Sequence, residues 1–343
     1  MTIRVGLIGF GVAGRYFHAP LLTAAGVRLQ AVVTSRRDEV RTLYPDATVV
    51  TTHSDLVARD DVDLVVIASP SHLHYEHARL ALGAGKHVIV DKPASASVAE
   101  VEDLDRVARA RGVKFAVFQN RRWDADFLTI QQLLREDRLG EITSFRARWD
   151  RFRPEIAGKW LGPPSAAGDM VYDLGSHLID QALCLFGRPD WIQADVFAQR
   201  RGATIDDTFD ILMGKGPLRI SLAASCLAAP GDWRYVIHGS QKSFFKPGID
   251  PQEDQSRAGL QPLDARFGIE AASLAGTLVA GATGVADIVP SMQGRWLTFY
   301  ERMKQSIEED VPVPVGAADA AAILEIIAAA HRSSSEGRRI PLL

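Results

Sequence analysis

The sequence predicts an α/β domain with a parallel sheet over residues 1–120, followed over residues 121–343 by an α+β domain with a largely antiparallel open sheet. Three observations predict it. A chain of 343 residues with 47% hydrophobic content exceeds the roughly 250–300 residues that one core usually serves. Short β-branched runs alternate with helical segments as far as Asn120, the mark of a parallel sheet covered by helices. Beyond Asn120 strand-like runs follow one another without crossover helices, as in antiparallel sheets.

In chain order, the strands of the first part are expected at Arg4–Ile8, Val27–Val33, Ala47–Val50, Leu64–Ile67, His87–Val90 and Lys114–Val117. Each is a nearly continuous apolar run, as befits a strand buried on both faces. Val98, Val101, Leu104, Val107 and Ala108 recur at helical intervals, with Ser95 or Ser97 as N-cap and Gly112 as the stop. The second part begins with a helix through Phe127–Leu134, a strand through Thr143–Trp149 and a helix through Leu178–Phe186. Strands follow at Ala194–Ala198, Thr208–Met213, Leu218–Ser225 and Tyr235–Gly239. Ala271–Pro290 is too poor in large apolar residues for a membrane span and reads as a hairpin with flanking loops. Ala317–Arg332 is helical and is expected to pack back onto the first domain.

Charge narrows the partners. Charged residues make up 24% of the chain and the formal net charge is -3, so no global field favours nucleic acid or an anionic membrane. A small diffusible ligand is the expected partner. Cys184 and Cys226 match no metal-ligand spacing or redox pair and read as reduced thiols of a cytoplasmic protein. The chain opens directly into a strand, without the basic, apolar and cleavage segments of an export signal.

Gly9-Phe10-Gly11-Val12-Ala13-Gly14 fits G-x-G-x-x-G between the first strand and a helix, the dinucleotide loop of a Rossmann domain. Gly9 permits the turn, Gly11 lets backbone amides approach a pyrophosphate, and Gly14 lets helix and strand pack closely. About twenty residues further on, NAD-binding domains usually carry an acid for the ribose hydroxyls. This chain has Thr34-Ser35-Arg36-Arg37 there, and a hydroxyl with a guanidinium suits a 2′-phosphate, so NADP is favoured over NAD. Asp38 could still reach a ribose. Ser69, Pro70, His72 and His74 close the fourth strand where they can line the nicotinamide half; Asp91, Lys92, Asn120 and Arg122 are further candidate contacts. No carboxylate or cysteine accompanies His72, His74 and His77 in a ligand pattern, so no metal is expected and these read as surface histidines.

Asp91-Lys92-Pro93 ends the fifth strand, and a lysine there is delivered to the crevice, where it can stabilise developing negative charge. Asp173 and His177, spaced i and i+4 at a helix start, share one face. Such a histidine can take the proton of an alcohol as hydride leaves, with a carboxylate orienting the ring. An N-cap aspartate and a core histidine remain an alternative reading of the same pair.

The glycine loop, Asp91-Lys92-Pro93, and Asp173-Leu174-Gly175-Ser176-His177 with Asp180 together resemble the Gfo/Idh/MocA family of NAD(P)-dependent oxidoreductases over nearly the whole chain. Three further segments resemble the NADP-dependent branch that includes scyllo-inositol dehydrogenases. They are Gln119 through Leu128, Asp150-Arg151-Phe152-Arg153-Pro154, and His238-Gly239-Ser240 followed by Asp250-Pro251-Gln252-Glu253. The resemblance implies that Lys92, Asp173 and His177 are the catalytic set. It also implies hydride transfer between the nicotinamide and a hydroxyl-bearing ring carbon of a polyol or sugar. Asp91 stands where glutamate is commonest in the family, and Ala166-Ala167-Gly168-Asp169 reduces its usual glycine cluster. Arg122, Trp123, Trp160 and Tyr235, beside the catalytic three, are candidates for the substrate wall. Two rival functions are a regulator that binds the dinucleotide without turnover and a redox-neutral glycoside hydrolase that retains its cofactor. The exposed sheet face is expected to form a homo-dimer or homo-tetramer.

Overall fold

A computed structural model describes residues 2–156, 167–229 and 233–342. The chain divides into two compact units. The first comprises residues 1–123, 252–267 and 295–321, and the second residues 124–251, 268–294 and 322–343.

The first unit holds six strands: β1 (Arg4–Ile8), β2 (Arg28–Val33), β3 (Thr48–Val50), β4 (Leu64–Ile67), β5 (His87–Asp91) and β6 (Phe115–Phe118). They pair in parallel in the order β3-β2-β1-β4-β5-β6, the Rossmann order, with the reversal beside β1 that opens a crevice at the strands' carboxyl ends. The apolar runs are explained by burial: all four residues of β4 are inaccessible, as are Val88, Ile89 and Val90 of β5. The helix Val98–Arg111 starts on Ser97, whose hydroxyl accepts from the Glu100 amide, and stops at Gly112 in the left-handed conformation. After the glycine loop the chain opens a π-turn over Ala13–His18 before the α-helix Ala19–Ala24. Pro20 explains the widening, because it has no N–H to donate back along the ladder.

Two segments that the sequence reading left in the second domain belong to this unit. Residues 295–309 contribute Trp296, Phe299 and Tyr300 to its aromatic core, with Phe299 edge-on to Phe118 at 5.0 Å and Trp296 edge-on to Phe17 at 5.5 Å. Residues 252–267 enter through Gln252, which donates to the Trp123 carbonyl and accepts from the Trp296 amide. Long-range pairing of this kind leaves no local periodicity to read.

The second unit carries β7 (Ile142–Arg148), β8 (Trp191–Phe197), β9 (Thr208–Lys215), β10 (Leu218–Ala224), β11 (Tyr235–Gly239), β12 (Lys242–Lys246), β13 (Gly276–Ala280), β14 (Ala286–Val289) and β15 (Ile340–Pro341). Their order is β14-β13-β12-β11-β7-β10-β9-β8-β15, with β7 and β10 parallel and the other pairs antiparallel. Ala271–Pro290 does contain the expected hairpin, β13 with β14. One sheet face is covered by the helix Ser176–Phe186, whose Phe186 meets Phe145 at 5.2 Å and whose Gln181 accepts the Tyr235 hydroxyl at 2.7 Å. The other face leaves Gln193, Asp195, Asp210 and Leu212 exposed. From Ala322 onward the helix Ala317–Glu336 belongs to this second unit, where Ser333 and Ser334 hydroxyls accept from the Ala194 and Val196 amides of β8. The stretch through Ala321 groups with the first unit. Among the described residues no helix is long and apolar enough to cross a membrane.

At Gly14 a Cβ would overlap the Gly9 carbonyl oxygen, a backbone atom that cannot swing aside. Gly14→Ala is expected to lower unfolding stability by about 1–3 kcal/mol. Urea unfolding checks this, and an unchanged midpoint would show that the loop is looser than its packing implies.

Candidate active site

The glycine loop turns at Gly9, which sits at φ +98 with its Cβ position blocked by the Ala68 carbonyl. Gly11, by contrast, faces open space where a Cβ would meet nothing within 4 Å. Beside it lies a crevice of about 400 Å³, lined by Gly9, Gly11, Val33, His53, Ser69, Pro70 and His77 among others. Blocked on the sheet side and open on the crevice side, the loop fits a dinucleotide pyrophosphate at the start of the following helix. Phe10 is buried edge-on to Tyr44 at 6.1 Å, so its side chain belongs to the core and only its backbone faces the loop. Val12 is exposed.

The expectation that His72, His74 and His77 are surface histidines is corrected for two of them. His72 is exposed, but His74 and His77 are buried. The His74 ring nitrogens lie 2.7 Å from the Pro93 carbonyl and 2.8 Å from the Ser69 carbonyl, so the ring ties the end of β4 to the turn after β5. The ring thus braces the two turns between which it lies. His77 meets the Ser69 hydroxyl at 3.0 Å and lies face to face with His53 at 3.8 Å. Burial, helped by the neighbouring charges of His53, His74 and His72, pushes the His77 imidazole from 6.5 down to about 4. Among the described residues no group of three or more His, Cys, Asp or Glu side chains is placed to hold a metal ion.

Lys92 follows β5, half-buried, with its backbone amide donating to Asp91 Oδ1 at 2.7 Å. The other Asp91 oxygen lies 3.5 Å from His18 Nε2, long for a hydrogen bond but close for a charge. His18 Nδ1 is 2.5 Å from the Tyr300 hydroxyl. Burial first, and the Asp91 charge second, push that phenol well above its ordinary range, so it stays protonated. Burial alone would raise the Asp91 carboxyl, but His18, together with the charges of His74 and Lys92, outweighs it and holds the carboxyl below its ordinary range. Asp91 thus faces Lys92 and His18, and the Lys92 turn is gripped from both sides. His18 and Tyr300 are functional neighbours that the sequence reading missed.

Asn120 and Arg121 are buried in the turn after β6, where Arg121 pairs with Glu253 at 2.5 Å and lies over the Trp296 ring. Arg122 pairs with Asp319 at 2.9 Å. Trp123 is buried edge-on to Phe299, so its ring packs the core of the first unit.

In the second unit the chain enters a π-turn at Val171–Gly175 and continues as the helix Ser176–Phe186, so Asp173 stands in the wide turn and His177 in the α-helix. The N-cap role left open for Asp173 belongs to Asp169, whose Oδ1 accepts the Val171 and Tyr172 amides at 2.8 and 3.1 Å. Asp169 Oδ2 is 3.1 Å from His331 Nε2, and Tyr172 stacks on the His331 ring. That hydrogen bond raises the His331 imidazole above its usual range. His177 is buried beside the Trp149 ring at 5.8 Å, with the Arg234 guanidinium 4.5 Å from the same indole. Tyr235 is fully buried and its hydroxyl is held by Gln181, one helical turn after His177. It supports the helix and offers no surface to a substrate, which corrects its place in the substrate wall. Trp160 lies outside the described residues.

At the end of β2, Ser35 and Arg36 are exposed and the Arg36 amide donates to the Thr34 hydroxyl at 3.0 Å. Glu39 in the next helix bonds Arg15 Nη1 at 2.7 Å and stands 3.7 Å from Arg36 Nη1. Arg15 and Glu39 were not anticipated, because only folding brings the residue after the loop to the residue after β2.

Comparisons with known proteins agree with this arrangement. The model of an oxidoreductase family with an NAD-binding Rossmann fold matches residues 3–119, and that of the GFO/IDH/MocA C-terminal domain matches residues 127–245. A scyllo-inositol 2-dehydrogenase (NADP(+)) of Bacillus subtilis, IolW, is 40% identical over 99% of this chain and 96% of its own. An uncharacterized Escherichia coli oxidoreductase, YdgJ, is 36% identical over 97% of this chain and 98% of its own. The Bacillus subtilis protein yvaA, solved in triclinic form and described no further than as an oxidoreductase, superposes with a TM-score of 0.97 at 40% identity, covering 100% of this chain and 99% of its own.

The depressed His77 imidazole has a pH consequence. Its value of about 4 in the fold, against 6.5 for the free group, means that the unfolded chain binds the proton first as pH falls. Its contribution to stability is therefore full above about pH 6.5 and is lost progressively toward pH 4. Stability of His77→Gln, measured by chemical denaturation, is expected to fall less steeply across that window than wild type. Parallel curves would exclude His77 as a source of acid sensitivity.

Proposed function

The chain belongs to the GFO/IDH/MocA oxidoreductase family, and from that premise we propose that it is an NADP-dependent dehydrogenase of a cyclic polyol or sugar, inositol-like in shape. The observation that carries the reading is the basic turn after β2, in which Ser35 and Arg36 stand where an NAD-binding domain would present an acid, with Arg15 of the segment after the glycine loop brought to the same place through Glu39. The full-length likeness to a relative named for NADP and scyllo-inositol supports it further.

When bound, the nicotinamide supplies the hydride acceptor for a carbon bearing a hydroxyl. The residues of Gly9 through Gly14 hold the pyrophosphate, and Ser69 and Pro70 line the crevice beside it. Lys92 polarises the substrate oxygen, its turn held by Asp91 through the backbone amide and by His74 through the Pro93 carbonyl. His177 accepts the hydroxyl proton during oxidation, with its ring seated against Trp149. Asp173 binds a neighbouring hydroxyl or orients His177. A cytoplasmic setting is supported by Cys184 and Cys226, neither of which is in a disulfide.

Absorbance at the reduced-nicotinamide band tests the proposal, with NADP+ or NAD+ against a panel of inositols, pyranoses and their keto forms. Turnover is expected with NADP+ and to fall about 10²–10⁴-fold in His177→Ala. Preference for NAD+ would overturn the phosphate reading. Tight cofactor binding without turnover on any member would favour a regulator, and release of a leaving group without net reduction would favour a redox-neutral hydrolase.

We also propose a homo-oligomer through the outer face of the second-unit sheet, supported by a hollow of about 280 Å³ lined by Gln193, Asp195, Asp210, Leu212 and Ser221 among others. Sedimentation at micromolar concentration is expected to show dimers or tetramers, and monomers alone would exclude the interface.

A further inference from the structure

The turn proposed for the 2′-phosphate already contains an anion. Glu39 directs one carboxylate oxygen to Arg15 Nη1 at 2.7 Å and the other to Arg36 Nη1 at 3.7 Å, so two guanidiniums from separate parts of the chain converge on one acid. Arg15 follows directly on the glycine loop, and Arg36 leads from β2 into the next helix. Their side chains are 32% and 50% accessible and that of Glu39 is 39%, so a ligand can reach all three. Arg15 Nε is buried with no hydrogen-bond partner among the described residues, leaving that donor uncommitted. Two guanidiniums gathered around one small anion are the arrangement by which a phosphomonoester is recognised.

Resting on the NADP reading, we infer that Glu39 is an internal stand-in for the 2′-phosphate. It keeps Arg15 and Arg36 converged when no phosphate is present and must give up its contacts when one arrives. Arg15 is then a phosphate ligand, and Glu39 a specificity determinant that weakens the binding of phosphorylated dinucleotides. NAD+ carries no phosphate at that position and displaces nothing, so Glu39 narrows the margin between the two cofactors.

Equilibrium binding to the purified full chain, by calorimetry with NADP+, NAD+ and 2′,5′-ADP, separates the possibilities without relying on turnover. If wild type does not bind NADP+ more tightly than NAD+, the NADP reading fails and takes this inference with it. Given that preference, Glu39→Gln keeps the side-chain length and an acceptor but removes the charge. It is expected to tighten NADP+ and 2′,5′-ADP about three- to fivefold while leaving NAD+ within about twofold, as suits partly exposed ion pairs. Arg15→Gln is expected to weaken NADP+ and 2′,5′-ADP about five- to tenfold and to spare NAD+. Unchanged or weaker NADP+ binding by Glu39→Gln would overturn the stand-in role, as would a loss of NAD+ binding, which would place the carboxylate on the ribose hydroxyls. Equal weakening of both cofactors by Arg15→Gln would overturn its assignment as a phosphate ligand.

Discussion

The cofactor half of the site depends on one close approach of backbone to backbone at the head of β1. The Gly9 carbonyl leaves no room for a Cβ at Gly14, and the Ala68 carbonyl leaves none at Gly9. Because the loop, the end of β4 and the following helix meet without side chains between them, the crevice can come within reach of backbone amides. Any side chain inserted there would lift the helix from the sheet. Arg15 and His18 both lie on that helical segment, so their distances to Glu39 and Asp91 are set by the same contact.

A second layer of order comes from buried polar groups that act through the backbone. His74 joins two carbonyls, and Asp91 holds the Lys92 amide while facing His18. Each group has a partner because desolvating it without one would cost about 1–3 kcal/mol. The consequence is that the turn at Lys92 is held by its neighbour Asp91 and by His74 and His18, which are distant in sequence.

Much of this was legible in the sequence, and the reason is periodicity. The six parallel strands announce themselves as apolar runs, Ser97 and Gly112 bracket their helix, and the glycine loop is a local string with a local cause. Lys92 after a strand and Asp173 with His177 at a helix start could be singled out by place, while the catalytic roles expected of them rest on the family resemblance. What stayed hidden is pairwise and long-range: Arg15 with Glu39, His18 with Tyr300, Trp149 with His177. Burial of His74 and His77 was hidden too, since a polar residue at a strand end carries no local mark of what will cover it. Two of the strings that resemble the inositol dehydrogenase branch, 119–128 and 250–253, brace one another, with Arg121 on Glu253, Gln252 on Trp123 and the Ala125 amide on Asp250.

The contact between Asp169 and His331 gives the residues around His331 an importance their distance from the glycine loop would not suggest. Asp169 seats the first turn ahead of His177, and the histidine that steadies it lies far along the chain from both. A premature stop upstream of codon 331 would spare the glycine loop in sequence while removing an anchor of the helix that carries His177. A frameshift just upstream of His331 is therefore no mild allele, and a library that randomises the residues around it samples the His177 helix at second hand.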